Sequence, residues 1–321
     1  MSSVGPVTVA GGAEIPRLMD RVEQRMAALA AGHGSVLARH AGDTLAAGGK
    51  RLRPVLVFLA AGVPPPESEG IVQSAVAVEL VHGATLVHDD VLDQAALRRG
   101  RPTVVAAGGR ELATATGDLL FSRAFAELAG TGSAAAVRAL SKATSELARG
   151  ELMQRADAWN AEVTVERYLE RCRLKTASLF RAACELGALE AGGGQAELLG
   201  GFGEQIGLAF QILDDVLDVS GPPERTGKSQ GTDLLDGTVT LPVIVARSRD
   251  TRLAWTDLRE VRTPEDAKRV CDIIAATGAL TIAKDRALEL VAEAKRLLPA
   301  LPERQRAALE LVADGVVERY A

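Results

Sequence analysis

Two segments of the chain place acid where the surrounding pattern is apolar: LVHDDVLD, with Asp89, Asp90 and Asp93, and QILDDVLD, with Asp214, Asp215 and Asp218. Each reads Asp-Asp-x-x-Asp among Leu, Val and Ile. On a helix the first and last acids of each segment stand one turn apart on the same face. Carboxylates stacked in this way repel each other, and burying them without a counter-charge is costly. A hard divalent cation with oxygen ligands removes that cost. Magnesium fits well where a substrate phosphate supplies part of its coordination shell. A single spacing of this kind is most often a solvated helix face. Two near-identical copies in apolar surroundings are instead read as two acidic walls facing one cavity, with all six aspartates as candidate metal ligands.

An anion held by such metals needs basic partners, and the chain supplies them. GGKRLRP carries Lys50, Arg51 and Arg53, LRRGRPT carries Arg98, Arg99 and Arg101, RLKTASLF carries Lys175, and RTGKSQGTD carries Lys228. Taken singly, each is most often a solvated charge. Arg98 and Arg99 gain weight because they fall just past the acidic helix, and arginine forks match diphosphate oxygens. Several cations plus magnesium are what a diphosphate site requires. His82 lies two turns before Asp89 on nearly the same face, whereas His88 is read as structural.

The elements that must position these residues are helical. Aromatic residues make up only 3% of the chain, so alternating strand patterns are nearly absent, and Ala, Leu, Glu and Arg recur at helical spacing. The stretch from Ile71 to Asp93 is apolar on several faces and is predicted to be a core helix. Pro and Gly clusters at 62–70, 191–195, 220–231 and 262–266 separate helical runs without forming interdomain linkers. The expected fold is all-α, a single-domain bundle of ten or more helices around a central cavity, with residues 1–20 as a flexible arm and 21–321 as the folded domain. A net charge of −5 argues against broad binding to nucleic acid. Cys172, Cys184 and Cys271 show no metal spacing and are read as reduced thiols of a cytoplasmic protein. The N-terminus has no signal-peptide pattern. Two phosphate-loop look-alikes fail on spacing: Gly221 and Gly227 are one residue too far apart, and GFGEQIG misses the dinucleotide fingerprint by one.

In order and spacing, GGKRLRP, HGATLVHDDVLDQAALRRGRPT, KTASLF, GLAFQILDDVLDVSG and TGKSQGTDLLDGTVTLP resemble the trans-isoprenyl diphosphate synthases (polyprenyl synthetases), and the longer-chain subgroup more than the farnesyl type. The resemblance implies a homodimer that condenses isopentenyl diphosphate with an allylic diphosphate. It further implies magnesium ions held by Asp89, Asp93, Asp214 and Asp218, and an allylic diphosphate gripped by Arg98, Lys175 and Lys228 with Thr176 and Gln211 nearby. Isopentenyl diphosphate would be bound by Lys50, Arg53, His82 and Arg99. Asp89, Asp93, Asp214 and Lys175 form the expected catalytic set. Thr238 stands where many relatives carry a second lysine, which removes one cation from the allylic site.

Ala84 and Thr85 lie about one turn, roughly 5.4 Å, below the metal face. A large aromatic there would make a floor under the growing chain, as in shorter-chain members. Both residues are small, so the floor is expected deeper, at Val81, Val78 or Ala77, or at Phe121 and Phe125 from the next helix. The product is therefore expected to be of geranylgeranyl size or longer. A terpene cyclase is the enzyme rival, but it usually has one aspartate-rich motif and needs no second diphosphate site. A non-catalytic helical partner would carry damaged motifs, and these are intact.

Overall fold

The protein is described here by a computed structural model covering residues 11–32, 34–46, 49, 51–98, 100–221 and 230–318. Lys50, Arg99 and Lys228 lie outside the described residues. The fold is all-α. Among the described residues the only strands are β1 (Leu97–Arg98) and β2 (Arg101–Pro102), a two-residue antiparallel hairpin.

The helices divide between two compact units. The first takes its described residues from Met1–Thr144, Leu179–Gly203 and Leu297–Val312. It opens with α1 (Glu14–Ala31), α2 (Ser35–Ala46), α3 (Leu52–Ala61) and α4 (Glu69–Leu92), followed by the hairpin and α5 (Val104–Gly130). Residues 14–20, expected to belong to an N-terminal arm, are helical, and residues 1–10 of that expectation lie outside the described residues. Ile15, Leu18, Val22, Met26 and Ala30 form one buried stripe along α1, the spacing a docked amphipathic helix requires. Arg21 and Arg25 tie this helix to Glu69, and Arg25 also reaches the buried Glu127 of α5.

Helix α4 is the core helix the sequence predicts. Ser68 caps it by accepting from the Ile71 amide at 3.2 Å, and residues from Ile71 to Val81 are almost all buried. It is long and apolar enough to cross a membrane, yet most of it is buried inside the protein, as expected of a core helix. Within the same unit, α8 (Ser178–Glu190) approaches α3 so closely that a β-carbon on Gly187 would lie 2.1 Å from the Val57 carbonyl oxygen. Only glycine allows that contact between backbones.

The second unit is drawn from Ser145–Ser178, Glu204–Arg296 and Ala313–Ala321. It contains much of α6 (Ala134–Ala156), all of α7 (Val165–Cys172) and a π-helical turn (Arg173–Ala177). Most of α9 (Ala196–Ser220) also falls here, followed by α10 (Thr232–Leu235), α11 (Leu241–Arg249), α12 (Thr251–Ala254), α13 (Pro264–Ala276) and most of α14 (Ala279–Leu297). The last helix, α15, is Glu303–Glu318. Tyr168, Ile206, Ile212, Val216, Ala267 and Ile274 are among the buried residues of the second unit. Helix α13 starts with a full capping box between Thr263 and Asp266, with Pro264 at its first position.

Candidate active site

The first aspartate motif closes α4. Asp89 is half-buried and Asp93 exposed, whereas Asp90, on another face of the helix, is 4% exposed. The chain then folds back on itself. The Ala95 amide donates to the Asp90 carbonyl, and Thr103, the cap of α5, donates its hydroxyl to the Ala95 carbonyl at 2.5 Å. This return places β1 so that Arg98 meets Asp90, donating Nε to Oδ1 at 2.8 Å with Nη2 2.7 Å from the same atom. The middle aspartate is thereby neutralised inside the protein, and Asp89 and Asp93 remain as the outward pair. Arg98, expected to grip diphosphate, pairs with the middle residue of the aspartate motif.

The second motif repeats the plan with different donors. Asp214 is exposed and Asp218 half-buried, while Asp215 is 4% exposed. Asp215 Oδ2 accepts from the Tyr168 hydroxyl at 2.6 Å, and Oδ1 accepts from Gln211 Nε2 at 2.7 Å. Gln211 in turn accepts from the Thr176 hydroxyl at 2.6 Å. Burial pushes the Asp215 carboxyl well above the ordinary range, with nearby Asp233 adding to the rise. Tyr168 is raised as well, first by its burial and then by the charge of Asp215. Asp218 is held by the segment that follows: its carbonyl accepts from the Gly231 amide at 2.9 Å and its Oδ2 from the Asp233 amide at 3.2 Å. Gly231 has φ +76°, and a β-carbon there would lie 3.0 Å from Cys271 Sγ.

Of the six aspartates expected to be metal ligands, Asp90 and Asp215 are the two buried ones, whereas Asp89, Asp93, Asp214 and Asp218 are half-buried or exposed. Among the described residues no group of three or more acids, histidines or cysteines forms a ready-made metal cluster. The residues present fit an ion that takes one or two carboxylates from protein and the rest of its shell from phosphate and water, which is how magnesium is usually held.

Lys175 sits in the π-helical turn, a distortion often found at functional sites. Its ammonium is ion-paired with Glu151 of α6, which also accepts from Arg155 at 2.8 Å. Burial would raise the Glu151 carboxyl, but Lys175 and then Arg155 hold it below its usual range. Gly150 permits the approach: a β-carbon there would lie 2.5 Å from the Lys175 amide nitrogen. Gly150→Ala is therefore expected to push the Lys175 turn away from α6 and to raise about tenfold the KM for the diphosphate that the sequence resemblance expects Lys175 to grip. Steady-state kinetics on the folded variant would check this, and an unchanged KM would show that the turn tolerates the shift.

In the GGKRLRP segment, Arg53 lies over the Phe180 ring, 4.6 Å from its centroid. Arg51, one of the basic residues offered by the sequence, is the anchor of the segment. Its backbone is left-handed (φ 46°), and its guanidinium meets Glu23, the buried Glu79 and the Leu45 carbonyl, each at 2.6–2.7 Å. His82 and Thr85 are half-buried on the Asp89 face of α4. Ala84, which the growing chain is expected to pass, and Val81, Val78 and Ala77, the candidates for its floor, have no exposed surface. They pack the interior rather than line open space. Phe121 and Phe125 are half-buried, and His88 packs on Phe121 with ring centroids 5.7 Å apart, in keeping with its structural reading.

Tyr168, Glu151, Glu79 and Asp233 carry no sequence signal of their own, because their partners are remote along the chain. Thr238, at the position of the missing lysine, is half-buried and donates its amide to the Asp233 carbonyl at 2.8 Å. Next to it, Gly237 (φ +74°) packs under the Trp159 ring.

This arrangement of two aspartate pairs, each set by a buried middle aspartate, coincides with a match of the polyprenyl synthetase sequence model to residues 35–277. The chain belongs to that family. It is 43% identical over 267 residues to the "Heptaprenyl diphosphate synthase component 2" of Geobacillus stearothermophilus, covering 80% of this chain and 82% of that one. The crystal structure of heptaprenyl diphosphate synthase from Staphylococcus aureus superposes with a TM-score of 0.89 at 30% identity, over 95% of this chain and 98% of that one. A polyprenyl synthase from Caulobacter crescentus CB15, solved with calcium and isoprenyl diphosphate, gives 0.88 at 35% identity, over 96% and 95%. This synthase is a prenyltransferase of isoprenoid biosynthesis.

Proposed function

We propose that this synthase condenses isopentenyl diphosphate head-to-tail onto an allylic diphosphate, giving an all-trans polyprenyl diphosphate of geranylgeranyl length or longer and releasing diphosphate. The observation that carries the reading is the pair of outward carboxylate couples, Asp89 with Asp93 and Asp214 with Asp218, each aimed by an inward aspartate. In this reading the carboxylates of each couple would hold magnesium against a substrate diphosphate. Magnesium, when bound, supplies positive charge against which the diphosphate leaves. Lys175 adds a cation to the same end, and Thr176 and Gln211 lie beside it in the hydrogen-bond chain to Asp215. Arg53 and His82 are assigned to isopentenyl diphosphate, together with Lys50 and Arg99. Holding the two substrates together makes carbon–carbon bond formation effectively intramolecular, and apolar walls keep water from trapping the allylic cation.

The synthase is further proposed to be cytoplasmic and to act as a homodimer. A second assembly, with a different partner chain, is favoured by one observation: the relative at 43% identity is named as one component of its enzyme. Incubation of the purified chain with labelled isopentenyl diphosphate, magnesium and dimethylallyl, geranyl, farnesyl or geranylgeranyl diphosphate tests both readings. A product ladder ending at one length supports the stand-alone synthase. No incorporation by folded protein with any primer would overturn it in favour of the two-component form.

A further inference from the structure

We propose that Tyr168 is a positioning residue for the second aspartate motif: it holds Asp215 so that Asp214 and Asp218 are presented as a ligand pair. This rests on the assignment of Asp214 and Asp218 to the metal-bridged diphosphate. Tyr168 has no exposed surface, and its hydroxyl reaches Asp215 Oδ2 at 2.6 Å. Gln211 takes the other oxygen at 2.7 Å, so each carboxylate oxygen has its own donor. The Tyr168 ring is itself fixed, with the Arg171 guanidinium 5.5 Å from its centroid and Arg171 Nη2 donating to the Val239 carbonyl at 2.5 Å.

Helix geometry turns this fastening into an orientation. Residue 215 follows 214 by about 100° of helical rotation, whereas 214 and 218 differ by about 40°. Anchoring Asp215 inward therefore sets the direction in which the other two point. The first motif supports the inference, because Asp90, its equivalent residue, is fastened too, by Arg98. The same task is done by a cation in one motif and by two neutral donors in the other. Tyr168 also ends a chain of hydrogen bonds running through Asp215 and Gln211 to Thr176, the neighbour of Lys175. Loss of its hydroxyl should therefore loosen the second pair without emptying the core.

Tyr168→Phe keeps the ring and removes one donor. Binding of Mn2+ to the full-length chain in the presence of inorganic pyrophosphate, followed by electron paramagnetic resonance, reads the effect without turnover. The expected result is a loss of Mn2+ affinity of about tenfold, the lower end of what removing a group that orients a ligand costs, with a cooperative thermal transition retained. Gln211→Leu, which removes the other donor, should weaken Mn2+ in the same direction. The double variant Tyr168→Phe/Asp215→Asn should bind no more weakly than Asp215→Asn alone, because Tyr168 acts through Asp215. Wild-type affinity in folded Tyr168→Phe and Gln211→Leu, beside a clear loss in Asp214→Asn, would overturn the positioning role and leave the ligand assignment standing. Wild-type affinity in Asp214→Asn would overturn the assignment, and the positioning role with it.

Discussion

Asp89→Asn and Asp214→Asn are each expected to lower kcat by about a thousandfold while leaving the protein folded. Asparagine keeps the size of the side chain and removes the charge a divalent ion requires. Asp214 is exposed and Asp89 half-buried, so neither substitution leaves a cavity. The middle aspartates should behave differently. Asp90→Asn removes the carboxylate that Arg98 meets in a largely buried setting, and its main effect should be on stability. Steady-state rates and thermal unfolding of these three single variants would separate the roles. If Asp90→Asn and Asp214→Asn were indistinguishable in both measurements, the division into inward and outward aspartates would be wrong.

Thr85→Phe is expected to shorten the product by at least one isoprene unit. Of the small residues singled out one turn or more below the metal face of α4, Thr85 alone keeps exposed surface, whereas Ala84, Val81, Val78 and Ala77 have none. Its hydroxyl bonds back to the His82 carbonyl at 2.8 Å, so the side chain lies along the helix, and a phenyl ring would project beyond it. Ala84→Phe, by contrast, should cost about 1–3 kcal/mol by overpacking the interior. Sizing the dephosphorylated products gives the answer directly. An unchanged ladder from Thr85→Phe would place the floor elsewhere, with the half-buried Phe121 and Phe125 as the next residues to vary.

Much of this molecule is written in local pattern. The helical fold follows from the spacing of apolar residues, and a core helix that is apolar on several faces is legible from Ile71 to Asp93 alone. The two Asp-Asp-x-x-Asp motifs, and their need for cations, follow from the electrostatics of stacked carboxylates within a few residues. What the sequence could not resolve is the division of labour within each motif. Six aspartates look alike along the chain. Which of them turns inward depends on Arg98 curling back through a two-residue hairpin, and on Tyr168, whose contact with Asp215 joins residues 47 positions apart. The same holds for Glu151 on Lys175, for Arg51 on Glu79, and for Gly150, whose missing side chain matters only because another backbone arrives there. The product floor is of the same kind, since helical spacing shows that a residue is small but not whether its face meets packed neighbours or open space. Charge, period and turn chemistry act over one or two turns and can be read along the chain, whereas the partners of a buried polar group are chosen only when distant segments pack together.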